Sequence, residues 1–168
     1  METASARLAT YWEGEPETRG DYLSRALLAP WARLLASAGI APERVHRPGH
    51  CPFCGGAPWV AARRPQPETH GNDRMLCCAL CGTEWTFARI RCPLCDEADP
   101  EKLPIFRDDR HPLVRIEACD VCRHYVKSID LSEDGRPLPE VDDVLSLSID
   151  LWAGEQGYTR IEPGLAGI

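Results

Sequence analysis

Cys51-Pro52-Phe53-Cys54-Gly55-Gly56 opens a pattern that Cys78-Ala79-Leu80-Cys81-Gly82 closes, and Cys92-Pro93-Leu94-Cys95 with Cys119-Asp120-Val121-Cys122 repeats it. Cys51 and Cys78 are 27 positions apart, as are Cys92 and Cys119. The second set is the first displaced by 41 residues, a shift that also carries Arg74 onto Arg115. A fixed internal period marks one structural unit used twice. Each Cys-x-x-Cys loop turns two thiolates toward one point, and two loops supply four sulfurs at about 2.3 Å, a closed tetrahedral shell. Soft thiolates select zinc or iron over hard cations. The spacing predicts one ion on Cys51, Cys54, Cys78 and Cys81, and another on Cys92, Cys95, Cys119 and Cys122. Pairing Cys78 and Cys81 with Cys92 and Cys95 is the alternative, and it would break the repeat. Disulfides or unengaged thiols are the plain reading.

Glycine follows the second cysteine of each loop in the first repeat (Gly55, Gly82), where a positive φ turns backbone N–H groups toward sulfur. Asp96 and Arg123 stand at those places in the second repeat, so its knuckles are expected to be less ideal and to lose metal first.

The chain has 168 residues with nine cysteines, fifteen prolines and thirteen glycines, so much of it is expected to be loop stabilised by metal. A net charge of −7 disfavours nucleic acid, whose binding domains are usually basic. Met1 to Glu15 lacks the apolar run of a signal peptide, and no run of 18 apolar residues offers a membrane span. An odd number of thiols, mostly in Cys-x-x-Cys pairs, then reads as a reducing, cytoplasmic compartment.

Four segments are expected. Residues 1–48 form a helical N-terminal segment, 49–91 and 92–135 the two knuckle units, and 136–168 a C-terminal helix and tail. Tyr11 and Trp12 suit an anchor in a short first helix. Leu23, Leu27, Trp31, Leu34 and Ala38 recur at helical spacing over 21–38, a stripe expected to face the core, with a partner surface as the lesser alternative. Gly39 is its stop and Pro30 a kink. His46 and His50 flank Cys51, but four cysteines already complete the shell.

Strands are expected from Ala57 to Arg64, into Cys77 and Cys78, from Glu84 through Arg91, over Leu103, Ile105 and Phe106, over Val114 and Ile116, and over Tyr125, Ile129 and Leu131. Pro65, Pro67 and Gly71-Asn72-Asp73 mark a hairpin tip, and Glu133-Asp134-Gly135 a turn after which Pro137 and Pro139 are expected to hold the chain extended. Trp85 and Phe87 share a face and are expected to cover the ion sites. Cys77 has Ala118 as its counterpart and reads as a packing cysteine, with a reactive thiol as the alternative. His111 and His124 read as surface groups or neighbours of the sites. One helix is expected over 140–156, capped by Asp142 or Asp143, with Val144, Leu145, Ser148, Ile149 and Trp152 on one face. Asp108, Asp109, Asp142 and Asp143 read as solvated loop or cap acids. The fold class is α+β, small and metal-rich: two tandem rubredoxin-like or zinc-ribbon knuckle units between N- and C-terminal helices.

Several blocks, in order, resemble the FdhE-like accessory proteins of formate dehydrogenase. They are Tyr22-Leu23-Ser24-Arg25-Ala26-Leu27-Leu28, Cys51-Pro52-Phe53-Cys54-Gly55-Gly56, Cys78-Ala79-Leu80-Cys81-Gly82-Thr83-Glu84-Trp85, Arg91-Cys92-Pro93-Leu94-Cys95, and Glu117-Ala118-Cys119-Asp120-Val121-Cys122 with Tyr125 and Lys127; Gly157-Tyr158 follows Asp150-Leu151. The resemblance implies a cytoplasmic assembly factor rather than an enzyme. It implies iron on the eight paired cysteines, the formate dehydrogenase catalytic subunit as partner, and a homodimer. Trp85, Tyr125 and Lys127 match family positions. Family members usually carry a longer helical N-terminal region than the 50 residues that precede Cys51 here.

Two readings compete with the accessory role. A zinc-ribbon nucleic-acid or transcription module fits four knuckles but not the charge. A rubredoxin-type electron carrier fits the knuckle glycines. No Ser-His-Asp set, Gly-rich phosphate loop or H-E-x-x-H is legible, and a closed Cys₄ shell leaves no open position for a substrate.

Overall fold

The computed structural model describes residues 3–14, 21–43, 47–66, 71–132, 138–164 and 166–167. The first unit is an antiparallel set: β1 (Pro58–Gln66), β2 (Gly71–Cys78) and the short β3 (Glu84–Thr86). The second repeats it with β4 (Ile105–Arg107), β5 (Val114–Cys119) and β6 (His124–Asp130). The units do not stand apart. β1 and β6 pair in parallel, Val60 opposite Lys127 through Arg63 opposite Asp130, giving one sheet in the order β3-β2-β1-β6-β5-β4. A two-residue strand, β7 (Thr159–Arg160), adds in parallel to β6. The class is therefore α+β, two knuckle units with helices flanking the sheet.

The repeat carries the junction as well. Arg74 and its counterpart Arg115 both bind Glu117: Arg74 Nε lies 2.7 Å from Oε2, and Arg115 donates to Oε1. Burial of Glu117 opposes its charge, but the two guanidiniums outweigh this and hold its carboxyl below the usual range. Arg74 also donates to the carbonyls of Ala88 and Arg91, at 2.9 and 3.1 Å. These bonds draw residues 88–91 off the sheet, so β3 stops at Thr86 rather than continuing through Arg91. Leu103 likewise ends a 3₁₀ turn (Pro100–Lys102) before β4 and is not in the strand.

α1 (Ala4–Glu13) starts at Thr3, whose hydroxyl accepts from Ala6, and ends at Gly14 in the left-handed region. Tyr11 anchors it, buried with its hydroxyl 3.0 Å from Glu162. α2 (Tyr22–Ser37) is capped by Asp21, contains Pro30, and is followed by Gly39 at φ 68°. Its orientation overturns the expected packing. Leu23, Leu27, Trp31 and Leu34 are 69%, 64%, 65% and 57% exposed. The inward face is Ser24, Arg25, Leu28, Ala29, Ala32 and Ala36. Alanines let the helix backbone approach the first cysteine cluster closely, which the larger residues would prevent.

The single C-terminal helix is in fact two, α3 (Pro139–Leu145) and α4 (Leu147–Glu155), broken at Ser146. Lys127 Nζ sits 3.0 Å from the carbonyl of Asp143 and 3.5 Å from that of Ser146. A buried ammonium at these end carbonyls satisfies groups the next helical turn would otherwise take. The break splits the expected apolar face: Ile149 is buried, whereas Val144 and Leu145 are exposed. Asp142 accepts from Leu138 N–H at 2.7 Å, so it is the capping acid. Val60, Ala62, Ile116, Ile129, Ile149 and Ala153 form the core between sheet and α4. His46, Glu133-Asp134-Gly135, Pro67 and Pro137 lie outside the described residues.

Candidate metal centres

All nine cysteines are free thiols, and eight of them converge in two sets. Cys51, Cys54, Cys78 and Cys81 form one, and Cys92, Cys95, Cys119 and Cys122 the other, with sulfurs in each set within 4.8 Å of one another. The alternative pairing across the repeats does not occur. Cys51 Sγ lies 3.6 Å from Cys81 Sγ and Cys54 Sγ 3.4 Å from Cys78 Sγ. The equivalent pairs in the second set, Cys92–Cys122 and Cys95–Cys119, stand at 3.7 and 3.6 Å. Ligands about 2.3 Å from a tetrahedral ion are about 3.8 Å apart, so each set fits one zinc or iron.

The knuckles build these sets in the same way. Gly55 N–H donates to Cys51 O at 2.9 Å, Gly82 to Cys78 O at 3.2 Å, Asp96 to Cys92 O at 3.1 Å and Arg123 to Cys119 O at 2.9 Å. All four closing residues hold positive φ: 69° and 74° for the glycines, 66° for Asp96 and 58° for Arg123. The second repeat keeps the geometry and carries side chains where it is costly to have them.

The two surroundings differ. The first centre is sealed: all four of its cysteines are buried among Tyr11, Leu28, Ala32, Phe53, Leu80 and Trp85. Trp85 covers it as expected, but Phe87 packs elsewhere, with Ala61, Leu76 and Val126. In the second centre Cys95 is exposed and Cys122 partly so. A cleft of 220 Å³ lined by Arg74, Arg91, Cys92, Glu117, Cys119 and His124 opens beside it. His124 lies against it as a neighbour, its Nδ1 2.6 Å from Cys122 O. His111 contacts Ser148 Oγ at 3.4 Å and His50 its own loop at Pro48 O, 3.3 Å away.

The thiols compete for charge within each shell. Hydrogen bonds with Cys54 and Cys78 draw Cys51 down to about 7, while the bond to Cys51 pushes Cys54 up. Burial pushes Cys92 up to about 11. Four thiolates in one shell repel, so full ionisation requires a cation. Cys77 stays apart. It is buried, its thiol donates to Glu84 at 3.5 Å, and burial followed by the Glu84 charge pushes it upward, which describes an inert packing cysteine.

One cluster escaped the sequence reading. Lys127, fully buried, binds Asp143 Oδ1 at 3.1 Å and Asp150 Oδ2. Arg160 binds the same two acids, at 2.7 and 3.4 Å, and donates to Trp59 O at 3.0 Å. Tyr125 donates to Asp150 at 2.8 Å. Two cations meet two anions, so the cluster is neutral and pins α3 and α4 to the sheet. Asp143, expected on the surface, is 1% exposed because this pairing compensates its burial. Asp108 does sit in an exposed loop, 2.6 Å from Arg110.

Two Cys₄ centres built from repeated knuckles on one shared sheet define a double rubredoxin-like protein. Residues 50–89 match the FdhE central domain and residues 90–165 the FdhE C-terminal domain, with the boundary falling between the two repeats. The chain belongs to the FdhE family. It is 35% identical over 118 residues to a protein FdhE homolog of Aquifex aeolicus, covering 70% of this chain and 41% of that protein. It is 32% identical over 166 residues to one of Pseudomonas putida, covering 95% and 52%. The crystal structure of the FdhE protein from Pseudomonas aeruginosa superposes with a TM-score of 0.70 at 28% identity, covering 95% of this chain and 56% of that one. The chain thus spans about half the length of these relatives.

Proposed function

We propose that this chain is a metal-binding accessory protein of formate dehydrogenase, an assembly factor rather than an enzyme. Its eight paired cysteines hold two ions, iron in the cell, with zinc using the same sulfurs. The observation that carries the reading is the pair of Cys₄ centres on an FdhE scaffold. Four sulfurs fill each shell, so the chemistry an ion supplies is structural or, for iron, a one-electron change, with no open position for a substrate. The partner is the formate dehydrogenase catalytic subunit, met in the cytoplasm, and the chain acts as a homodimer. No helix among the described residues is long and apolar enough to cross a membrane. The charge of −7 argues against nucleic acid.

An anaerobic pull-down of the tagged chain with the catalytic subunit, with metal analysis of the eluate, tests this reading. Capture of the subunit by a chain carrying two ions is expected. A chain that carries two ions and captures nothing overturns the accessory role.

A further inference from the structure

In the Cys119–Cys122 knuckle of the second centre, two changes from the first repeat reach the same segment. Asp120 and Arg123 replace Ala79 and Gly82 of the first repeat. Asp120 accepts from the Tyr158 hydroxyl at 2.5 Å. Arg123 donates to Gln156 O at 2.5 Å, and its guanidinium lies 3.9 Å from the centre of the Tyr158 ring. The backbone joins in: Thr159 N–H donates to the knuckle carbonyl of Arg123 at 2.9 Å, and Ile161 N–H to Tyr125 O of β6 at 3.0 Å. Arg123 thus occupies a left-handed backbone position that its counterpart fills with glycine, and its side chain reaches Gln156 and Tyr158 while also pairing with Asp120 at 3.1 Å. Strain of this kind persists where the surroundings use it.

The far end of that segment holds the N-terminal helices. Glu162 pairs with Arg25 at 3.5 Å and accepts from Tyr11, while Arg25 donates to the carbonyls of Pro163 and Gly164. Residues 156–164 are therefore a strap, largely without regular structure, from the second knuckle to α1 and the first half of α2. Pro30 lies inside α2 ahead of Ala32 and Ala36, which rest on the first centre.

We propose that the second Cys₄ centre is a metal-operated latch for this strap. With its ion in place, the Cys119–His124 knuckle holds residues 156–159, the near end of the strap, while Arg160 keeps its own anchor on Asp143 and Asp150. Loss of that ion, favoured by the exposed Cys95 edge, frees residues 156–159 of the strap while the sealed first centre stays loaded. The latch rests on the metal-binding part of the proposed function and not on the partner.

The test is hydrogen–deuterium exchange of the full chain loaded with two zinc ions, followed during stepwise chelation. Alkylation of released thiols identifies which centre empties. The first equivalent should leave from Cys92, Cys95, Cys119 and Cys122. Exchange at Thr159, whose amide bonds the knuckle carbonyl of Arg123, should then rise about ten-fold or more, with β1 and β2 still protected. Arg123→Gly, which suits the backbone there, should keep both ions yet show the fast strap exchange when fully loaded. Release from the first centre before the second overturns the latch. So does a strap that stays protected after the second centre empties, or wild-type exchange in loaded Arg123→Gly. A chain that binds no zinc at all instead defeats the metal-binding reading beneath it.

Discussion

Replacing Lys127 by methionine removes one charge from a sealed cluster while keeping most of the side chain's volume. Lys127 is 0% exposed, and Asp143 and Asp150 have side chains only 2% and 1% exposed. The substitution leaves Arg160 as the sole cation against two carboxylates within this cluster. Removing one partner of a buried pair costs about 3–5 kcal/mol, because the remaining charge is uncompensated and out of reach of water. Set against a total stability of about 5–15 kcal/mol, this is a large fraction. With a urea m-value of about 2 kcal/mol/M, the unfolding midpoint should fall by about 1.5–2.5 M. Urea titration of wild type and variant, both with excess zinc, reads this directly. Adding Asp150→Asn to Lys127→Met restores charge balance and should recover part of the loss. A shift under about 0.5 M would refute the reasoning, since it would mean that the cluster does not need the lysine charge.

Gly49→Ala should destabilise the linker into the first knuckle by about 1–3 kcal/mol. Its φ is 76° and a Cβ there would lie 2.0 Å from Pro93 O, so thermal unfolding should drop measurably. On α2, Leu27→Lys should shift stability by no more than about 0.5 kcal/mol, as for an exposed site, whereas Ala32→Leu should cost about 1–3 kcal/mol by overpacking against the first centre; equal effects in urea titration would contradict the observed orientation. Cys77→Ala should retain two ions per chain, and native-state alkylation should modify Cys95 well before Cys77. Removing both ions should cost on the order of 10 kcal/mol per centre and unfold both units, seen as a red shift of tryptophan emission when Trp85 loses its cover.

The two four-cysteine clusters were legible because ligand spacing is local information. Two cysteines in one knuckle are three positions apart, and the 41-residue shift assigns each knuckle its mate. The strands leading into the knuckles followed from the same repeat. What joins the units was not legible: β1 and β6 pair in parallel across some sixty residues, and parallel pairing leaves no local signature. Periodicity identified which residues of α2 share a face, but not that the alanine side turns inward. The hydrophobic stripe therefore pointed the wrong way, because closeness of approach mattered more than side-chain size. Asp143 read as a solvated acid, and nothing in the sequence joined it to Lys127, Asp150 and Arg160; only their meeting in space makes burial tolerable. The break at Ser146 has the same origin, since the ammonium that binds the α3 carbonyls comes from a strand.

The central claim is that one knuckle unit, used twice, holds two ions on sulfur alone. X-ray absorption at the metal edge of anaerobically prepared protein, combined with metal and protein quantification, tests it most directly. The account predicts two ions per chain, each with four sulfur neighbours at about 2.3 Å and no lighter ligand. One ion per chain, or nitrogen or oxygen in either shell, would contradict it.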